Sequence, residues 1–227
     1  MSDSGTPPPS PSPLPKDSYP HIFVSDTDAE FTHYQTTGYG RYGDFQILAS
    51  GGSAVLRTCR DKNLGRTVVM KTLHPHLAGN KYMHSRFLRE ARVTAQLQHP
   101  ATVPVYDIGH DLEDRLYFTM KKVEGQSTRE ILDRQIAGDA EALAQFDLER
   151  MLSVLEQVCN CLAYAHAHGV VHRDVKPENI LVGEFGEVLL LDWGVAKVWA
   201  DAASQREDER VQHEALTDVT QRPGPPL

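Results

Sequence analysis

The sequence predicts an α+β fold, with an antiparallel sheet and one helix in its first half and a helical second half that carries short strand pairs. Three observations predict it. Runs of β-branched and aromatic residues, separated by small turn segments, recur between residues 45 and 121. A single helical stretch, 82–98, interrupts them. From residue 147 the apolar spacing becomes helical, and short strands return only after Gly169.

The elements follow in chain order. Residues 1–20 contain "GTPPPSPSPLP" and are expected to form a disordered tail, since such composition buries too little surface to order itself. Residues 21–43 are polar and aromatic and carry no assigned element, so 1–43 reads as a tail and N-terminal extension. "FQILASGGSAVLRTCRD" reads as strand, small-residue loop and strand; "KNLG" is a turn and "RTVVMKTL" a third strand. The helix over 82–98 stops at His99 and Pro100, and "TVPVYDIG" and "RLYFTM" add two strands. In "DLERMLSVLEQVCNCLAYAHAHG", Met151, Leu155, Val158 and Leu162 fall at helical spacing, and Gly169 is a fitting stop. "NILV" and "EVLLL" are short strands joined by "GEFG"; past Lys197 the apolar pattern fades into an expected exposed loop.

Composition excludes several classes. A net charge of −8 and a pI near 5.7 argue against a general nucleic-acid binder. Three cysteines (Cys59, Cys159 and Cys161) do not make a disulfide framework, and a reducing compartment suits them. The N-terminus has no secretory pattern, and no apolar run is long enough to span a bilayer, so the expectation is a cytoplasmic chain with no membrane segment and no nucleic-acid partner. His166, His168 and His172 lack zinc spacing with Cys or Glu, and the first two read as helix-end residues. Neither a G-x-x-x-x-G-K-[ST] loop nor a G-x-S-x-G elbow is present.

One stretch asks for more than packing. "VVHRDVKPENILVGEFGEVLLLDWGVAKV", 170–198, places His172, Arg173, Asp174, Lys176 and Asn179 between apolar runs and ends the second run on Asp192. "HRDVKPEN" followed by "LDWG" resembles the protein-kinase signature H-R-D-x-K-x-x-N and D-F-G, with the Lys two residues after the Asp in the serine/threonine form. The resemblance runs from about residue 45 to 197 with its motifs in order. It implies a kinase-like α+β fold: a complete β-rich N-lobe with one helix over 44–123, then the first part of a helical C-lobe over 124–227. It implies transfer of the ATP γ-phosphate to Ser or Thr of a protein substrate, with Mg²⁺. Asp174 would orient the acceptor hydroxyl, Lys176 would offset developing charge, and Asn179 and Asp192 would hold Mg²⁺ as hard oxygen ligands. Arg173 would meet a phosphorylated or acidic group of the activation segment. Lys71 in "VVMK" matches the Lys that holds the α- and β-phosphates, and Glu90 the acid that pairs with it. Leu48, Ala49, Gly51 and Gly52 fall in the phosphate-loop region. Met120 matches the gatekeeper, backbone groups of Lys121 and Val123 the adenine-edge contacts, and Leu56, Val69 and Leu181 the apolar positions around adenine.

The chain departs from that pattern in four places. The loop reads "ASGGSA" where the family has G-x-G-x-x-G, so Ala49 and Ala54 replace two glycines and are expected to weaken ATP binding. Val69 stands where Ala is usual, and is expected to crowd the adenine pocket; Trp193 stands where Phe is usual. No A-P-E follows within 227 residues, so the sequence reads as a kinase truncated in its activation segment, weak or inactive alone. Thr217 and Thr220 lie where activating phosphorylation occurs in the family, but read as ordinary loop threonines. The rival expectation is a nucleotide-binding pseudokinase or scaffold: the altered loop and the missing A-P-E favour it, while the full set Lys71, Glu90, Asp174, Asn179 and Asp192 favours the enzyme. "MKKVEG", "GEFGEVLLLDWGVAK" and "REARVTAQLQHP" together resemble bacterial kinases of the planctomycete and myxobacterial type.

Overall fold

The β-branched runs of the first half form the central strands of a five-stranded antiparallel sheet. The structure is a computed structural model that describes residues 37–199. The N-terminal tail, Thr217 and Thr220 lie outside the described residues. The strands are β1 (Tyr42–Ser50), β2 (Ala54–Asp61), β3 (Arg66–Leu73), β4 (Val105–His110) and β5 (Leu116–Lys121), in the order β1-β2-β3-β5-β4. Val68, Val69 and Met70 of the middle strand are all buried, because both sheet faces are covered there. One face packs Ala54, Leu73, Leu116 and Phe118 against Phe87 and Ala91 of α1 (Lys81–Gln96). The other collects Tyr42, Cys59, Val68, Met70 and Tyr117, with Tyr39 at the edge.

Helix α1 starts on Asn80, whose side-chain oxygen accepts from the Tyr82 and Met83 amides. It ends at Gln96, two residues before the expected stop. Leu97 leaves the helical region, and tight bonds from Gln98 N–H to Gln96 O and from His99 N–H to Leu97 O turn the chain ahead of Pro100. The turn is then fastened down: the Thr102 hydroxyl donates to Leu97 O at 2.6 Å.

The second half holds α2 (Thr128–Ile136), α3 (Ala140–Gln145) and α4 (Leu148–Ala167). A three-stranded sheet is ordered β6 (Gln126–Ser127), β8 (Ile180–Val182), β9 (Val188–Leu190), and β7 (Val170–Val171) pairs with β10 (Lys197–Val198). The sequence reading assigned neither α2 nor α3. Helix α4 stops where expected: Gly169 takes φ +72, the left-handed end that glycine adopts without strain. Its buried face departs from the expected stripe at Leu155 alone. Val154, Val158, Cys161 and Ala165 are buried, Met151 and Leu162 flank them, and Leu155 is 52% exposed. Leu148 and Leu152 also face outward. The helix carries apolar residues on more than one side, so periodicity alone could not say which side meets the core.

Backbone contacts help fix the halves to one another. Leu190 N–H donates to Ala101 O at 2.8 Å, and Thr102 bridges Leu190 in parallel. The segment that follows α1 therefore rests on the strand that leads into Asp192. Among the described residues, no helix is long and apolar enough to cross a membrane.

Candidate active site

Strand alternation and register put the first group together. Val69 and Lys71 are two apart on β3 and so share a sheet face. Leu56 lies opposite Lys71, Ala49 opposite Leu56, and Met120 opposite Val69, and facing partners share that face. Ala49, Leu56, Val69, Lys71 and Met120 thus line one side of the sheet. Lys71 Nζ meets Glu90 Oε1 at 2.5 Å, with side chains 16% and 14% exposed. Burial pushes the Glu90 carboxyl up from the ordinary glutamate range; the Lys71 ammonium opposes that rise and the Asp192 carboxylate adds to it.

The charged cluster of 172–179 forms a loop with its own internal wiring. Asp174 Oδ2 accepts from Lys176 Nζ at 2.7 Å and from Asn179 Nδ2 at 3.2 Å. Asn179 Nδ2 also donates to Asp174 O at 2.9 Å. The Lys176 hydrogen bond is the main reason the Asp174 carboxyl lies below the usual aspartate range; Asn179 helps. His172 is fully buried beneath. Its Nε2 donates to Leu191 O at 2.9 Å and its Nδ1 accepts from Asp174 N–H at 3.2 Å, which fixes a neutral tautomer. Burial lowers its pKa in the same sense.

Asp192 stands opposite this loop, held there by its neighbours. Leu191 N–H donates to Asn179 O at 2.7 Å, and Gly194 N–H donates to Asp192 Oδ1 at 3.2 Å. A Cβ at position 194 would meet Asp192 Oδ1 at 3.0 Å and Glu90 Oε2 at 3.4 Å, so the β3–α1 ion pair and the Asp192 carboxylate crowd the same glycine. Arg86, one turn before Glu90, donates through Nε to Gly194 O at 3.3 Å. Trp193 is 1% exposed, sets its ring edge-on to His172 at 4.5 Å, and donates from Nε1 to Leu190 O at 3.3 Å. Arg173 and Asp192 both hold positive φ, +67 and +61, an uncommon backbone state for these residues that the surrounding bonds maintain. Arg173 Nε donates to Val195 O at 2.7 Å.

The loop between β1 and β2 removes the backbone objection to its alanines. None of Ala49, Gly51, Gly52 and Ala54 has a positive φ, and a Cβ on Gly52 would meet nothing within 4 Å. Ala54 is 2% exposed, with its methyl in the N-lobe core. Leu48 is exposed on β1. Lys121 N–H donates to Pro104 O at 2.9 Å. Leu181 sits on β8, beyond the Val123 connection, opposite Ser127.

The protein kinase domain family matches residues 42–217. The chain belongs to that family. It is 38% identical over 159 residues to the serine/threonine-protein kinase PknD of Chlamydia trachomatis serovar D, a match covering 69% of this chain and 17% of the relative. The PknD of Protochlamydia amoebophila is 36% identical over 197 residues, covering 82% of this chain and 20% of the relative, and that of Chlamydia felis is 34% identical over 182 residues, covering 79% and 18%. The chain thus spans a fifth or less of the length of these relatives.

Within this kinase fold, the structure brings Lys71 to Glu90, and Asp174 to Lys176 and Asn179, with Asp192 between the two groups. Sequence reasoning gave no role to His172, Arg86 or the indole N–H of Trp193. His172 and Arg86 act on backbone carbonyls far along the chain, Leu191 O and Gly194 O, and no spacing rule marks such partners; Trp193 bonds Leu190 O only three residues back, but nothing in the sequence tells that its indole turns that way.

Proposed function

We propose that this chain binds MgATP between its sheet and its catalytic loop and serves as the nucleotide-binding and catalytic part of a bacterial serine/threonine kinase. The observation that supports this reading is that Glu90, the partner of Lys71, and Asp192 both crowd Gly194, while Leu191, beside Asp192, is bonded to Asn179 of the Asp174–Lys176–Asn179 group. Lys71, kept in place by Glu90, holds the α- and β-phosphates. Ala49, Leu56, Val69, Met120 and Leu181 enclose the adenine ring, Leu48, Gly51 and Gly52 border the nucleotide, and Lys121 and Val123 offer backbone groups to the base edge. Asp174 is ionised at neutral pH and accepts the substrate hydroxyl's hydrogen bond, which aims the oxygen in line with the γ-phosphorus. Lys176 stands beside it to offset charge on the transferring group.

The donor set suits Mg²⁺. Asn179 spends its amide nitrogen on Asp174, leaving Oδ1 as a hard ligand, and Asp192 supplies a carboxylate. One or two protein oxygens, completed by phosphates and water, is how this ion is usually held. Bound there, Mg²⁺ would neutralise charge on the phosphates.

The Ser/Thr acceptor is supported by Lys176 at its place in the loop and by the relatives' name. The cysteines are free, and together with the use of ATP this supports a cytoplasmic setting. The planctomycete and myxobacterial affinity rests on the sequence runs quoted above, and the lobe division at 123/124 on the hinge after Met120.

The 227 residues contain no Ala-Pro-Glu, the motif that closes the family's activation segment ahead of the helical lobe. The 227-residue chain is therefore expected to transfer little phosphate to protein, since a misplacement of about 1 Å can cost roughly a hundredfold. The same residues followed by an Ala-Pro-Glu segment and helical lobe from a relative should transfer it readily. The assay is radiolabelled phosphate transfer to a generic basic protein, with Asp174→Asn as blank. Silence in the fused chain would refute catalysis and leave a nucleotide-binding scaffold.

A further inference from the structure

The loop 51–53 has two exposed glycines and a half-buried Ser53, and closes on itself through one backbone bond, Gly51 N–H to Ala54 O at 3.0 Å. Left so, it would swing freely. A second element reaches it. His74 lies three residues beyond Lys71, just past the end of β3. Its N–H donates to Ser53 O at 3.1 Å and its Nε2 donates to Gly51 O at 2.8 Å. A carbonyl only accepts, so Nε2 carries the proton. The ring is braced in turn. It stacks on His76 with centroids 5.3 Å apart and planes 25° from parallel, and Leu77 N–H closes the short turn onto His74 O at 2.9 Å.

Two carbonyls of the loop are therefore held by one residue. The peptides are trans, so C=O and N–H of each unit point in opposite directions. With Gly51 O held by the His74 ring, the Gly52 N–H points away from that ring; with Ser53 O held by the His74 N–H, the Ala54 N–H points away from β3. Backbone amides presented in this way are a phosphate cradle. We propose that His74 is a positioning residue of the phosphate loop: it fixes the Gly52 and Ala54 N–H groups against the strand that carries Lys71, so that loop and ammonium address the same phosphates. This rests on the reading of the cleft as a MgATP site.

Two substitutions separate the donor from the ring. His74→Phe keeps a ring to stack on His76 but has no donor; His74→Gln keeps a terminal N–H at about the reach of Nε2. Each is titrated calorimetrically with MgATP and with adenosine, which fills the base pocket but never meets the loop. His74→Phe should weaken MgATP by about five- to tenfold, the worth of one such hydrogen bond, and leave adenosine unchanged. His74→Gln should recover most of the MgATP affinity. Equal MgATP affinity in wild type and His74→Phe would overturn the proposal. So would equal weakening of both ligands, or a His74→Gln as weak as His74→Phe. In each of those outcomes wild-type MgATP binding stands. A wild-type protein that binds adenosine or nothing, but no MgATP, sinks the nucleotide reading and this proposal with it.

Discussion

At the scale of single residues, the departures from the family pattern have physical explanations. Trp193 keeps the apolar bulk expected at its position and adds a donor, which it spends on Leu190 O inside the core. Trp193→Phe is expected to keep the fold but lose about 1–3 kcal/mol, because a buried carbonyl is left short of a partner and the smaller ring leaves a gap. Urea unfolding would check it, and an unchanged midpoint would show that the indole N–H does nothing. Ala54 shows the opposite case. The residue that looked like a defect in a glycine-rich loop buries its methyl against Leu73 and Phe118. Ala54→Gly should therefore destabilise by roughly 1 kcal/mol, read as a drop in melting temperature; a rise would mean that the loop, not the core, governs this position.

At the scale of elements, ion pairs fasten the edges of the sheet. Arg41 forks onto Asp61 with two bonds of 2.6 Å, and Arg66 stands 3.5 Å away. Burial pushes the Asp61 carboxyl up, but the Arg41 bonds and charge, with Arg66, outweigh it and hold it below the ordinary aspartate range. A lowered folded pKa contributes stability that is present above the unfolded value, about 3.9, and lost as pH falls through the folded one. Arg41→Ala removes the larger opposing cause, so burial then dominates and the loss should begin at higher pH. Thermal melts from pH 6 to pH 2.5 test this, and superimposable profiles for the two proteins would refute it. Much of this level could be read in the sequence. β3 was plain because "RTVVMKTL" is β-branched and both its faces are buried. Helix α2 went unassigned although Ser127 and Glu130 form a capping box that "STRE" spells out. In α4, Met151, Val158 and Leu162 of the expected stripe do meet the core, and only Leu155 turns outward, beside Leu148 and Leu152, because the helix is apolar on more than one side. The catalytic loop was legible for the reverse reason: Asp174, Lys176 and Asn179 make no sense as packing. His74 was not legible at all, since its partner is a backbone oxygen 23 residues away.

At the scale of the whole molecule, Trp193 shares one core cluster with Val93 and Leu97 from the α1 region and with Val154 and Val158 of α4. The residue beside Asp192 is thus packed by both halves, and the position of the Asp192 carboxylate depends on the core. The outward leucines of α4 are the other whole-molecule feature. Leu148, Leu152 and Leu155 lie one helical turn apart, all more than half exposed. Such a patch favours self-association. Replacing all three by Gln should lower concentration-dependent light scattering without lowering the melting temperature; unchanged scattering would clear the patch of that role. The central claim is that Lys71, Glu90 and Asp192 form a MgATP site, and the melting temperature tests it most directly. A ligand that binds only the folded state raises it, by about 2.7 kcal/mol of stability at a hundredfold excess over Kd. We predict a clear rise with millimolar MgATP, a smaller one for ATP with a chelator, and no difference between the two in Asp192→Asn. Well-folded wild-type protein whose melting temperature ignores MgATP would contradict the account.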